Sequence, residues 1–216
     1  MGKKLLFQGD SITDCGRKTS GGAGYPVDGW GPGYPGLIGS YLTGNYPEME
    51  WQVANLGISG NRVVDLYARW KLDALNLAPD FISILIGIND TWHEKARQNG
   101  VEVPRYEQFY RMLLDWSISV LPEVRFILME PFALCFGAVS EDWIPEVDAR
   151  REVVRRIAAD YRDRAVFVPL QQPLNDACRR APQEHWLVDG VHPRPAGHQL
   201  IMNEWLKAAG PMLGIK

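Results

Sequence analysis

Leu5-Leu6-Phe7-Gln8-Gly9-Asp10-Ser11-Ile12-Thr13-Asp14 sets a short apolar run against a small polar turn. The run Leu5-Leu6-Phe7 predicts a first β-strand buried on both faces. Gly9 then permits an unusual φ, Asp10 can bond to nearby backbone, and Ser11 offers a hydroxyl. In α/β proteins ligands bind beyond the carboxyl ends of the strands, so Ser11 is expected at the mouth of a sheet. Taken alone, the turn reads as an ordinary strand-to-helix connection with a Ser or Asp cap. What changes that reading lies downstream.

The chain has 216 residues, 46% hydrophobic and 23% charged, which predicts one domain over 1–216 with a substantial core. A net charge of -3 and scattered basic residues leave no electrostatic field for nucleic acid. No apolar run approaches membrane-spanning length, and Met1 to Asp10 is too polar for a signal peptide. Cys15, Cys135 and Cys178 are too widely spaced for a disulfide framework or a C-x-x-C metal site. Reduced thiols in the cytoplasm are the expectation, with a homo-oligomer left open.

After Ser11, a loop rich in Gly, Pro and aromatics runs from Gly16 to about Pro35, and a short helix is expected over 37–42. Strands follow at 51–56, 81–86, 126–129 and 166–168. Between them, Val63, Leu66, Tyr67 and Trp70 keep helical spacing, as do Tyr106, Phe109, Tyr110, Leu113 and Leu114. A further helix carries Val153, Val154, Ile157, Ala158 and Tyr161, with Arg150, Arg151, Arg155 and Arg156 expected on its solvated outer side. The last helix should run from 196 to 213, interrupted near Gly210-Pro211. Strands alternating with helices predict a parallel sheet with right-handed crossovers and helices on both faces.

Chemistry gathers where those strands end. In Asp189-Gly190-Val191-His192-Pro193 a carboxylate three residues before a histidine can reach its Nδ1, fixing the tautomer and freeing Nε2 as a base. The same spacing would suit a helix cap or a metal ligand, but His93, His185 and His198 add no tight ligand set. No metal or cofactor is therefore expected. Acyl transfer also needs donors for an oxyanion. Gly60 can offer an unobstructed backbone N–H, and Asn89, in Gly87-Ile88-Asn89-Asp90, its side-chain amide. Each alone reads as a turn residue. Together, in this order and each at a strand end, they point to ester chemistry at Ser11.

These blocks resemble the SGNH (GDSL-type) hydrolase family. Gly9-Asp10-Ser11 is similar to its nucleophile block, Asn55-x-Gly57-x-Ser59-Gly60 to its glycine-donor block, Gly87-x-Asn89-Asp90 to its Asn block, and Asp189-x-x-His192 to its triad partners. The resemblance spans nearly the whole chain. It implies a flavodoxin-like three-layer α/β/α fold with a five-stranded parallel sheet and metal-independent ester hydrolysis. By the same resemblance Ser11, Asp189 and His192 are catalytic, and Ser11, Gly60 and Asn89 form the oxyanion hole. Leu5 to Arg17, Gly57-Ile58-Ser59-Gly60-Asn61, Ile86 to Asp90, and Val191-His192-Pro193 with Ala196-Gly197-His198 look most like bacterial acetylxylan esterases acting on acetylated xylo-oligosaccharides. Gln8 stands where that family often has an apolar residue, a departure that touches no role.

Tyr25, Trp30, Tyr34, Trp92 and Trp186 lie in loops near these blocks. Aromatic faces suit sugar rings, so Trp30, Tyr34, Trp92 and Trp186 are candidate substrate contacts. Cys15, beside Ser11, has no activating neighbour in sequence and reads as packing. Three functions compete: a carbohydrate O-deacetylase, a general short-chain esterase, lysophospholipase or thioesterase, and a sugar-binding protein without turnover. All catalytic residues are present, which speaks against the third.

Overall fold

A computed structural model describes residues 2–18 and 29–215. Its centre is a parallel sheet of five strands: β1 (Lys4–Gly9), β2 (Gln52–Asn55), β3 (Phe81–Leu85), β4 (Arg125–Met129) and β5 (Ala165–Val168), in the order β2-β1-β3-β4-β5. The apolar run at Leu5–Phe7 is buried on both faces because successive side chains enter different cores. Leu5 and Phe7 join one cluster with Val53, Phe81, Leu85, Ile127 and Trp205, and Leu6 the other with Ala54, Ile82, Ile84 and Phe126.

Helices α2 (Tyr34–Asn45) and α9 (Pro195–Leu213) cover the first face, and α3 (Val63–Asp73), α5 (Val103–Val120) and α6 (Ile144–Asp160) the second. The expected α/β/α architecture is thus present. Even the polar Ser83 of β3 is accommodated inside: its hydroxyl accepts the Trp205 indole N–H at 2.9 Å. Short helices α1 (Ser11–Asp14), α4 (Ile88–Arg97), α7 (Gln171–Ala177) and α8 (Gln183–Trp186) complete the chain.

Two expectations need correction. The last helix is not broken at Gly210-Pro211; α9 continues through Pro211 to Leu213 and ends at Gly214, φ 75°. Pro211 has no N–H to bond the preceding turn, but only Met212 and Leu213 of the helix follow it, so the missing bond falls where α9 ends in any case. Nor is the arginine cluster of α6 wholly solvated. Arg155 and Arg156 are exposed, but Arg150 is 1% exposed. It donates to Thr91 Oγ1 at 2.7 Å and to the Val101 carbonyl, and pairs with Glu146 at 3.3 Å.

The strand order places the site. From β1 the chain crosses to β2 on one side and then to β3 on the other, so the connections leaving β1 and β3 diverge and open a crevice. Ser11 follows β1, Gly60 follows β2 and Asn89 follows β3. Three neighbouring strand ends therefore bring these residues side by side.

Candidate active site

Ser11 is the first residue of α1, whose cap is Asp10: its Oδ1 accepts the Ile12 N–H at 3.0 Å. That cap fixes the turn and leaves the Ser11 N–H with no acceptor among the described residues. The Ser11 hydroxyl lies 2.9 Å from His192 Nε2, and His192 Nδ1 lies 2.8 Å from Asp189 Oδ2. An ionised carboxylate only accepts, so Nδ1 carries the hydrogen and Nε2 is left to accept the serine proton.

The loop holding Asp189 and His192 is pinched by a bridge between Leu187 and Pro193 and by the Val188 N–H on the His192 carbonyl, 2.8 Å. Asp189 Oδ1 accepts the N–H groups of Val191, 3.1 Å, and His192, 2.9 Å. Burial pushes the Asp189 pKa up, but these N–H groups and the His192 ring outweigh it and hold the carboxyl below its usual range. The long connection after β4 also supports this loop. Leu134 N–H donates to Gly190 and Ala138 N–H to the Asp189 carbonyl.

Gly60 has φ 84°, a Cβ there would meet nothing within 4 Å, and its N–H has no acceptor among the described residues. Gly57 has the opposite constraint: a Cβ would come within 2.5 Å of the Asp14 nitrogen. Its smallness lets the β2 loop close on α1. Asp14 completes that closure by accepting the Ser59 N–H and hydroxyl, and Asn55 donates to the Thr13 carbonyl at 2.7 Å. Asn89 Nδ2 donates to the Asn61 carbonyl at 3.1 Å, which uses one of its two hydrogens.

Asp10 and Asp90 are the residues next to Ser11 and Asn89 in the chain. Both are buried, and burial first of all pushes each pKa up to about 7; each also feels charge nearby, Asp10 that of Asp90, and Asp90 that of Arg150. The sequence gives Asp10 a bond to nearby backbone and marks no role for Asp90. Asp90 in fact receives the Val63 N–H at the start of α3. Among the described residues, no group of three His, Cys, Asp or Glu could hold a metal ion.

The aromatics divide. Trp92, one turn beyond Asn89 on α4, has its ring centroid 5.7 Å from that of His192. Tyr34 is corrected: it is fully buried at the start of α2, its hydroxyl 2.8 Å from Thr13 Oγ1, with no surface to offer a substrate. Trp30 gives its indole N–H to Val53 and packs on Gly39. Trp186 gives its own to Ala181 and stacks edge-on with His185. Tyr25 lies outside the described residues.

The model of the GDSL-like Lipase/Acylhydrolase family matches residues 7–200. The chain belongs to that family. It is accordingly a serine carboxylic-ester hydrolase, as its sequence blocks led one to expect. It is 36% identical over 214 residues to the acetylxylan esterase of Geobacillus stearothermophilus, covering 97% of this chain and 94% of that protein. A crystal structure of that esterase superposes with a TM-score of 0.85 at 35% identity, covering 95% of this chain and 93% of the other. A structure from Parabacteroides merdae, assigned as a GDSL-like lipase, gives 0.90 at 39% identity over 97% of each chain. No helix among the described residues is long and apolar enough to cross a membrane.

Proposed function

We propose that this esterase removes acetyl groups from acetylated xylo-oligosaccharides, with Ser11 as nucleophile, His192 as base and Asp189 as its orienting carboxylate. Ser11 Oγ attacks the ester carbonyl while His192 Nε2 takes its proton. Asp189 stabilises the imidazolium that forms. The developing oxyanion is met by the N–H groups of Ser11 and Gly60 and by the free hydrogen of Asn89 Nδ2. His192 returns its proton to the departing sugar oxygen. It then deprotonates a water that hydrolyses the acetyl-enzyme, releasing acetate and regenerating Ser11.

The observation that carries the reading is the unbroken relay from Ser11 Oγ through His192 to Asp189, 2.9 and 2.8 Å, beside N–H groups without acceptors among the described residues. The acetylated sugar is supported by likeness to the Geobacillus enzyme, whose name states its substrate. Trp92 beside His192 suits a sugar ring's apolar face. A cytoplasmic setting agrees with three free thiols.

Purified protein assayed on p-nitrophenyl acetate, p-nitrophenyl octanoate and acetylated xylobiose tests the proposal. Turnover of the acetyl esters with little on octanoate is expected, with kcat/KM highest for the sugar. Preference for octanoate would favour a general lipolytic esterase, and no turnover would reject hydrolysis.

A further inference from the structure

The two oxyanion donors outside α1 share an anchor. Asn61 follows Gly60, and its carbonyl is the group that Asn89 Nδ2 bonds. Asn61's own side chain does not point free: its Oδ1 accepts Arg69 Nε at 2.8 Å. Arg69 Nη1 in turn lies 3.0 Å from Asp73 Oδ2. The Asp73 carbonyl accepts Gln8 Nε2 at 2.7 Å, so the polar residue that departs from an apolar pattern on β1 is buried against the far end of the same chain of bonds.

We propose that Arg69 is a positioning residue for the oxyanion hole, acting through Asn61 on both Gly60 and Asn89. The inference rests on the serine-esterase reading above. An arginine–aspartate pair four residues apart is by itself a common helix-surface contact of small consequence. Here the arginine side chain is 14% exposed, and its planar fork serves two acceptors in different directions, which fixes the guanidinium plane.

Two things follow from that fixed plane. Glycine at φ 84° has many alternatives open to it, and the clamp on the next residue selects one. Asn89 could in principle present either end of its amide. With the Asn61 carbonyl held in place, the flipped form would oppose two oxygens, so the donor end is retained where the oxyanion forms. Arg69 itself touches no reacting atom.

The test compares Arg69→Ala, Asn61→Ala, the double variant and Arg69→Lys with wild type on p-nitrophenyl acetate, each with a thermal melt and active-site titration. Asn89→Ala, expected to lower kcat by roughly 10²–10³ by loss of one donor, sets the ceiling. Arg69→Ala and Asn61→Ala should each lower kcat by about ten- to a hundredfold with KM within about twofold, since misplacing a preorganised group by an ångström costs up to that much. The double variant should be no worse than the worse single one. Arg69→Lys should fail to restore the rate, because a single ammonium cannot keep both acceptors in place. Should Arg69→Ala not fold, Asn61→Ala is read alone, since it keeps the backbone carbonyl. Wild-type kcat in Asn61→Ala, additive losses in the double variant, or a lowered melting point with kcat per titrated site unchanged would overturn the inference. Ser11→Ala run alongside separates the two claims: if it stays active, the esterase reading falls. If it is dead while Arg69→Ala and Asn61→Ala are fast, only the positioning role falls.

Discussion

Two histidines each face a nucleophile-type side chain, one at the first residue of α1 and one just after its last. His192 meets Ser11, Nε2 to Oγ 2.9 Å, and His198 meets Cys15, Nε2 to Sγ 3.3 Å. By residue type the second pair could equally make a reactive nucleophile. The other ring nitrogen decides against it. His192 Nδ1 faces the Asp189 carboxylate, so Nε2 is an acceptor. His198 Nδ1 receives the Tyr34 N–H at 3.2 Å, so a neutral ring must carry its hydrogen on Nε2 and donate towards sulfur. It cannot act as a base there.

Burial separates the two histidines as well. His198 is 4% exposed, and burial lowers its pKa to about 4. Burial, with Asp14 nearby, also raises the Cys15 pKa, away from the thiolate. Buried His198 fastens the start of α9 to Cys15 after α1 and to the start of α2, whereas the His192 side chain is 37% exposed and open to a substrate. What bonds the far side of the imidazole, more than closeness to a nucleophile, decides whether the near nitrogen can accept a proton.

The sharpest attempt to break this contrast exchanges the nucleophiles' fates. Ser11→Ala should lower kcat on the order of 10⁶ with little loss of stability, whereas Cys15→Ala should leave the rate within about threefold because no thiolate is used. Steady-state kinetics on p-nitrophenyl acetate checks both, and a large loss in the cysteine variant would place chemistry at the wrong pair. Next comes Asp189→Asn. An amide can donate to Nδ1 and impose on His192 the tautomer that His198 already has, so kcat should fall by roughly 10⁴ with the fold intact. A drop of less than tenfold would show that the carboxylate does not set the tautomer.

The smallest effect is on stability. An unfolded chain protonates His198 near the ordinary 6.5, but the native ring only near 4. Between those values the unfolded state binds the extra proton, so stability falls as pH drops from about 6.5 to about 4, by at most about 3 kcal/mol. Buried Asp10 and Asp90, with raised pKa values, act in the opposite direction over an overlapping range. The isolating measurement is therefore the difference in urea-unfolding free energy between wild type and His198→Gln across that window. Their gap should shrink on acidification. A gap independent of pH would mean that His198 titrates normally.

How much of this was legible in the sequence varies with how local the cause is. The Ser11 turn, the Asp189–His192 spacing and the apolar strands are set within a few residues, and their placement in the α/β sheet agrees with the reading of the chain. Tyr34 escaped that reading because its hydroxyl partner, Thr13, lies 21 residues away in sequence, and a Gly- and Pro-rich context looked exposed. Arg150 likewise finds its acceptors on Thr91 and Val101, far away in sequence, so helical periodicity placed it on the wet side. The short helix α4 was missed because Ile88 and Trp92 alone give too little apolar period. The contact of Asn61 with Asn89 was invisible for another reason: it is made by a backbone carbonyl, which every residue possesses.

The most direct test of the serine-esterase account is covalent. Incubation with a serine-directed organophosphate, with and without EDTA, followed by peptide mapping, reports which residue becomes nucleophilic. One adduct per chain on Ser11, formed at the same rate in chelator and abolished in Asp189→Asn, is the predicted result. An enzyme that hydrolyses acetyl esters while Ser11 stays unlabelled, or that loses activity in EDTA and regains it with Zn²⁺, would contradict it.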